Sequence, residues 1–285
     1  MATDTHRLTI SYSMAKAWKR CRLKFYLKYT EGYVEPSGPG LRRGTCGHNA
    51  LQKWYTGGDP EIIFEEAVEQ LTELAKPESV TDQEIDELVD ALVRYFDWSG
   101  QHEKFAKPEE YKFEYKFDLP LVSEDIRIQG YIDGVMPYNG KIWLLENKFQ
   151  KRVSTQGLEF DAQSALYLRA ARMCGIPAEG VLYNMVRVGT KKAIEEPVVR
   201  VPLTHTEAGL DVIWQEACDI ATDIAEYEMF GGSVYRNTHK DCYWDCGFLR
   251  ACQMLQYSGD PTSVLQNFER KEVTNDGPAA KDREA

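Results

Sequence analysis

The stretch GYIDGVMPYNGKIWLLENK, Gly130 to Lys148, decides how the rest of the chain is read. Two apolar runs flank Tyr138-Asn139-Gly140, and Asn-Gly between such runs predicts a tight β-hairpin, because both residues tolerate positive φ. Alternate strand residues point the same way, so Ile142, Leu144, Glu146 and Lys148 share one face of the second strand. On the first strand Asp133 interrupts the apolar pattern. Burying these charges without partners is costly. A metal ion held by Asp133 and Glu146, with Lys148 facing the reacting group, satisfies all three.

Outward from the hairpin, composition sets the bounds. A chain of 285 residues, 43% hydrophobic, can fill the core of one elaborated domain or of two small ones. It holds no run of 18 apolar residues, and its N-terminus lacks the apolar stretch of a signal peptide, so a cytoplasmic protein with no membrane partner is expected. Seven cysteines, odd in number and scattered, fit a reducing compartment better than a disulfide framework. A phosphate-binding G-x-x-x-x-G-K-[ST] loop is missing, which excludes an evident ATP motor. The net charge of −11 weighs against nucleic acid as a partner, but its distribution weighs the other way. Residues 1–56 carry ten Lys and Arg against three Asp and Glu, whereas 57–110 carry four against sixteen. Such segregation can expose a basic groove on an acidic protein.

Along the chain, Ser11 or Ser13 caps a predicted helix to Tyr29, with Met14, Ala17, Trp18, Cys21 and Phe25 as its apolar stripe. Lys16, Lys19, Arg20, Arg22, Lys24 and Lys28 surround the stripe and suit phosphates, with Lys19, Arg20 and Arg22 the DNA-binding candidates. After a Pro/Gly-rich linker, 34–41, a second helix runs to about Tyr55 and carries His48, four residues after Gly44. A helical insertion, about 57–108, follows as two helices. Thr81 to Glu84 forms a capping box on the second, whose stripe is Ile85, Leu88, Val89, Leu92, Val93 and Phe96. Tyr111 to Leu119 alternates as a strand, with Tyr111, Phe113, Tyr115 and Phe117 on one face and Glu114 on the other. Beyond the hairpin, a helix from about Gly157 to Met173 places Gln163 and Tyr167 on one face. Strands at 180–188 and 193–202 join at a turn bearing Lys191 and Lys192. A long helix, 204–230, comes next, with a cap read at Thr204 to Glu207.

Cys242, Cys246 and Cys252 lie within eleven residues, and closely spaced thiolates in a cytosolic protein usually mean metal. Cys21 supplies a fourth ligand. Cys46, Cys174 and Cys218 read as structural. The tail from 269 to 285 is polar, without periodicity, and is expected to be disordered.

Asp133 followed by Glu146-Asn147-Lys148 resembles the D…ExK signature of the PD-(D/E)xK nuclease superfamily. The Gly44-to-His48 spacing, the Ser-led first helix and the Gln163–Tyr167 pair resemble its RecB-like branch, which includes CRISPR-associated and AddB-type exonucleases, some phage-encoded. The resemblance implies that His48, Asp133, Glu146 and the Asn147 carbonyl hold Mg²⁺ or Mn²⁺. It makes Lys148, Gln163 and Tyr167 catalytic with the two carboxylates, and Glu114 a possible lining residue. It also implies a 4Fe–4S cluster on Cys21, Cys242, Cys246 and Cys252, although C-x3-C departs from the usual two-residue gap and leaves Zn²⁺ as an alternative occupant.

The expected fold is α/β, a restriction-endonuclease-like mixed sheet of about five strands flanked by helices. One domain, 1–268, would have its N- and C-terminal segments stapled by the cysteines. The expected function is a metal-dependent DNA exonuclease of recombination, repair or end processing, acting on single strands or DNA ends, with protein partners in a recombination or CRISPR-like complex. The alternatives are a non-catalytic DNA-binding module of the same fold and a structural or redox iron–sulfur protein.

Overall fold

The computed structural model describes residues 7–76, 79–103, 112–189 and 196–273. The predicted hairpin is its longest feature: β3 (Ile126–Tyr138) and β4 (Lys141–Gln150) turn at Asn139 and Gly140, with φ of 50° and 75°. β3 pairs along its other edge with antiparallel β2 (Lys112–Pro120), and its first residues pair with parallel β1 (Leu8–Ile10). β4 pairs with parallel β5 (Ala178–Arg187), which pairs with antiparallel β6 (Val198–Leu203). The sheet is mixed, as expected, but has six strands among the described residues. β1 is the addition; three residues at the chain start are too short for a periodic signal. Tyr111, Lys191 and Lys192, and the first residues of the strand read at 193–202, lie outside the described residues.

Alternate residues of the central strands feed two cores. Leu144, Val181 and Tyr183 belong to one cluster with α1 (Tyr12–Arg20), α6 (Ala162–Met173) and α7 (Glu207–Phe230). Leu145 and Leu182 belong to a second with α3 (Pro39–Tyr55), α4 (Pro60–Ala75) and α5 (Asp82–His102). The result is a sheet with helices on both faces. α4 and α5 are the predicted insertion, and the Thr81–Glu84 capping box is formed. The stripe of α5 rotates, however: Val93 is exposed, while Ala91, Tyr95 and Ser99 are buried beside Leu88, Leu92 and Phe96.

Glu84 and Glu87 are buried on the same helix. They pair with Arg42 and Arg43 of α3 at 2.9 and 3.1 Å. Lys53 pairs with Glu66 at 2.6 Å. Charge segregation along the sequence is thus partly consumed inside the fold: basic α3 docks the acidic insertion. Part of the basic charge of 1–56 therefore meets carboxylates rather than solvent, because a distant opposite charge is invisible in sequence windows.

The first helix also differs. Ser11 caps α1, accepting a hydrogen bond from the Met14 N–H at 3.2 Å, but the helix stops at Cys21, whose backbone is extended. α2 (Arg22–Phe25) and a π turn, Tyr26–Thr30, follow. α3 starts inside the expected linker, at Pro39, and α7 is capped by Thr206 rather than Thr204. The C-terminal segment forms α8 (Cys242–Asp245), α9 (Leu249–Ser258) and α10 (Thr262–Leu265), and Phe248, Ala251 and Leu265 bury themselves against Leu27. Residues 269–271, assigned above to the tail, pair with the N-terminal segment: the Val34 N–H donates to the Glu269 carbonyl at 2.9 Å and the Lys271 N–H to that of Gly32 at 2.8 Å. These contacts hold the two ends of the chain together without invoking any cysteine.

Candidate active site

Extending the hairpin register one step beyond Gly134↔Leu145 sets Asp133 opposite Glu146. Both carboxylates therefore sit side by side where the β3–β4 pairing ends. The Asn147 N–H donates to Asp133 Oδ2 at 2.8 Å, which fixes that carboxylate across the two strands. Lys148 reaches Glu146 at 2.7 Å and Asp161 at 3.3 Å. Asp161 is the N-cap of α6 and accepts from the Ser164 N–H. It was missed in the sequence because a lone Asp before a helix reads only as a cap.

Two close approaches bring helices onto this pair. A Cβ on Gly47 would lie 2.4 Å from the Phe149 ring, so only glycine lets α3 come down on β4. That contact, rather than the glycine at 44, sets the height of His48, whose Nδ1 lies 3.1 Å from Asp133 Oδ2. Likewise, a Cβ on Gly130 would lie 2.6 Å from Phe117 and 2.9 Å from Tyr167. The missing side chain lets Tyr167 lie over β3, edge-on to Phe117 with centroids 5.1 Å apart.

His48, Glu114, Asp133, Glu146, Asn147, Lys148, Gln163 and Tyr167 all line one cavity of about 330 Å³, together with Ser11 and Ser13 at the start of α1. Glu114 enters it through a left-handed backbone, φ 50°, and is skipped in the β2–β3 register between Phe113 and Tyr115. The kink breaks the predicted alternation: Phe113 packs in the second core, Tyr115 and Phe117 in the first. A non-glycine residue held at positive φ inside a cleft is a mark of functional sites.

The electrostatics follow from crowding two carboxylates with two cations. Burial pushes the Glu146 carboxyl up, Asp133 beside it adds to the effect, and its pKa reaches about 7. Burial acts the same way on Asp133, but His48 and the Asn147 N–H outweigh it, and its pKa is lowered. Burial disfavours charge on His48, yet the Asp133 contact raises its pKa to about 9. For Lys148 burial is outweighed by Glu146 and Asp161, so its pKa rises and the ammonium stays protonated. Tyr167 is raised by burial and then by Glu146, and remains a neutral phenol. The site is thus a carboxylate pair neutralised by His48 and Lys148.

Behind it lies a polar network that the sequence did not announce. Asn184, fully buried, donates to Asn147 Oδ1 at 2.8 Å and to the Tyr95 hydroxyl at 3.0 Å. Arg200 donates to Asn184 Oδ1 at 3.1 Å and to Tyr55 at 3.0 Å, and it pairs with Glu103. These six residues come from β4, β5, β6, α3, α5 and the residue after α5, separations no local pattern reveals.

The basic residues of the first helices lie elsewhere. Lys19 and Arg22 face α7, 3.8 Å from Glu216 and from Asp223, and Arg20 pairs with Asp245. Lys24 is bound to Glu35 at 2.6 Å. Arg22 also stacks over Trp18 at 3.3 Å.

Cys21, Cys242, Cys246 and Cys252 line a second cavity, of about 230 Å³. The helix break turns Cys21 out of its stripe, and the Asn237 N–H donates to its sulfur at 3.5 Å. Neither cavity, among the described residues, presents three or more His, Cys, Asp or Glu side chains already arranged around a common metal position.

No protein of curated function matches the sequence closely. Among solved structures, the chain resembles a Eubacterium rectale protein provisionally described as an exonuclease, with 12% identity over 84% of this chain and 87% of that one, and a TM-score of 0.51. At that identity the likeness concerns the fold. A second structure, SSO0001, aligns over 84% of this chain and 83% of its own with 14% identity, at a TM-score of 0.35 too low to bear on the argument. The sequence pattern of one family, however, matches residues 9–253, from β1 through the cavity to the cysteine segment. With that match covering the sheet and every residue of the cavity, the chain belongs to the PD-(D/E)XK nuclease superfamily.

Proposed function

We propose that the protein is a metal-dependent DNA exonuclease working in recombination, repair or DNA-end processing. The observation that carries this reading is the meeting of Asp133, Glu146 and Lys148 with His48, Gln163 and Tyr167 in one cavity, from segments over 100 residues apart. The donor set fits Mg²⁺ or Mn²⁺: two carboxylates and a peptide carbonyl at Asn147 are hard ligands, and the His48 imidazole favours Mn²⁺. When bound, such an ion polarises the scissile phosphate and lowers the pKa of an attacking water. Asp133 is already oriented for ligation by the Asn147 N–H. His48 would release its contact with Asp133 to ligate through a neutral ring.

Lys148 is a fixed cation, not a base. Held between Glu146 and Asp161, it would stabilise negative charge developing on the phosphate. Gln163 and the neutral Tyr167 would donate hydrogen bonds that position the substrate strand. Glu114 adds a further carboxylate to the lining. Lys19, Arg20 and Arg22, read as DNA-binding residues, lie against Glu216, Asp245 and Asp223, so a phosphate there would compete with those carboxylates.

For the cysteine cavity, four thiol side chains around one space and an N–H aimed at Cys21 support a 4Fe–4S cluster or a Zn²⁺ ion as a structural staple. Digestion of end-blocked and free-ended single- and double-stranded DNA, with Mn²⁺, Mg²⁺ or chelator, tests the activity. Loss of free-ended substrate only, and only with metal, is expected. Cleavage in excess chelator would overturn the metal assignment, and binding without cleavage under every condition would favour the non-catalytic module.

A further inference from the structure

Lys148 lines two spaces. One is the carboxylate cavity; the other is an open groove on its far side, about 610 Å³. The groove floor is the end of β4, Phe149 and Gln150, with Lys151 just beyond it; its walls are the first turn of α3 and the loop through Arg152 and Gly157 that leads to α6. Its charge is opposite to that of the whole chain. Arg43 and Lys151 both bind the buried Glu87, at 3.1 and 2.6 Å, so one carboxylate serves two cations. Arg152 is exposed and makes no ion pair among the described residues. At the wall, Gly38 is the N-cap of α3 and offers no side chain to cap it, which favours an anion near the backbone of Gly40.

Beside the groove, a 3-10 turn, Leu158–Phe160, precedes Asp161. Leu158 packs toward the first core, whereas Phe160 is 83% exposed. A phenyl ring held almost wholly in water, one residue from the carboxylate that contacts Lys148, contributes nothing to the core. Cations along a groove, with an exposed aromatic ring on the adjoining turn, are a pairing that suits single-stranded nucleic acid, because unpaired bases offer stacking faces that a duplex keeps stacked.

We infer that this groove carries a single-stranded segment of the DNA substrate, its backbone on Arg152 and Lys151 and a base on Phe160, delivering the adjoining phosphate to Lys148. The inference rests on the nuclease reading of the cavity and names the strand form that it takes. Its test is fluorescence anisotropy of labelled oligo-dT and of a blunt duplex, in chelator, so that binding is read without cleavage. Phe160→Ala should weaken oligo-dT binding about tenfold and leave duplex binding within about twofold, while Phe160→Trp retains it. Arg152→Ala should flatten the dependence of log affinity on log salt by about 0.7, one phosphate contact on a single strand. Both side chains are exposed, so thermal melting should not move. Oligo-dT affinity unchanged in both variants, equal losses for strand and duplex, or no measurable oligo-dT binding by the wild type would each overturn the inference. Glu146→Gln separates the two readings: bound but uncut oligo-dT in that variant, with cutting by the wild type, leaves catalysis standing even if the groove variants behave as wild type.

Discussion

The side-chain amide of Asn184 donates to Asn147 Oδ1 across 2.8 Å, entirely inside the protein. The Asn147 side chain engages Asn184 while its backbone N–H holds Asp133, so one residue links the carboxylate site to the network under the helical insertion. Asn184→Leu removes the partner of Asn147, and also one of Tyr95 and one of Arg200. Buried polar groups left unmatched should lower stability by roughly 2–4 kcal/mol. Urea unfolding measures this; an unchanged midpoint would show that the network is slack.

Arg200 and Glu103 are the charged end of that network, both almost fully buried. Arg200→Met leaves a carboxylate in the core with only hydroxyl partners and should cost about 3–5 kcal/mol, the range for breaking a buried pair. Adding Glu103→Gln should recover part of the loss. If the double variant is no more stable than Arg200→Met, the two charges are not coupled.

In the cavity, Asp133→Asn or Glu146→Gln should abolish cleavage with the melting temperature preserved, since each carboxylate is replaced by an amide of the same shape. Lys148→Ala should slow the reaction by roughly 10²–10³-fold, the scale of one preorganised electrostatic contact. Gel-based digestion with Mn²⁺ reads all three. Full activity in Asp133→Asn would remove that residue from the reaction.

Gly130→Ala tests the packing that places Tyr167. The new methyl would sit 2.6 Å from Phe117 and 2.9 Å from Tyr167, so one ring must move. Overpacking of this kind costs about 1–3 kcal/mol, and cleavage should fall with it as Tyr167 is pushed off β3. A Phe117→Leu background, which vacates space, should restore part of the activity. No rescue would mean that Tyr167 is not the part displaced.

The cysteine cavity predicts iron and acid-labile sulfide in equal amounts in anaerobically purified protein, with a brown colour that Cys21→Ser or Cys246→Ser bleaches. Stoichiometric zinc in colourless protein would instead mark a zinc staple. Metal-free protein that is stable and active would leave the cysteines as packing residues. In either metal case the C-terminal segment should stay partly docked in the serine variants, because Leu27, Phe248 and Leu265 form their own core and residues 269–271 pair with 32–34.

Local physics made much of the molecule legible in the sequence. Asn139-Gly140 permits the backbone that closes the hairpin, and period-two spacing then places Glu146 and Lys148 on one face. Ser11 and the Thr81–Glu84 box cap helices because short polar side chains satisfy free N–H groups nearby. The spacing of Gln163 and Tyr167 needs only one helical turn. Only the tertiary structure could decide the rest. Whether Arg42 and Arg43 met solvent or carboxylates depended on Glu84 and Glu87, over 40 residues away. Whether Cys21 stayed on its stripe depended on a helix break facing a segment from the other end of the chain. Asp161, Asn184 and Arg200 have no spacing rule to betray them, because contacts between elements depend on how sheet and helices pack, while a sequence window records only neighbours along the chain.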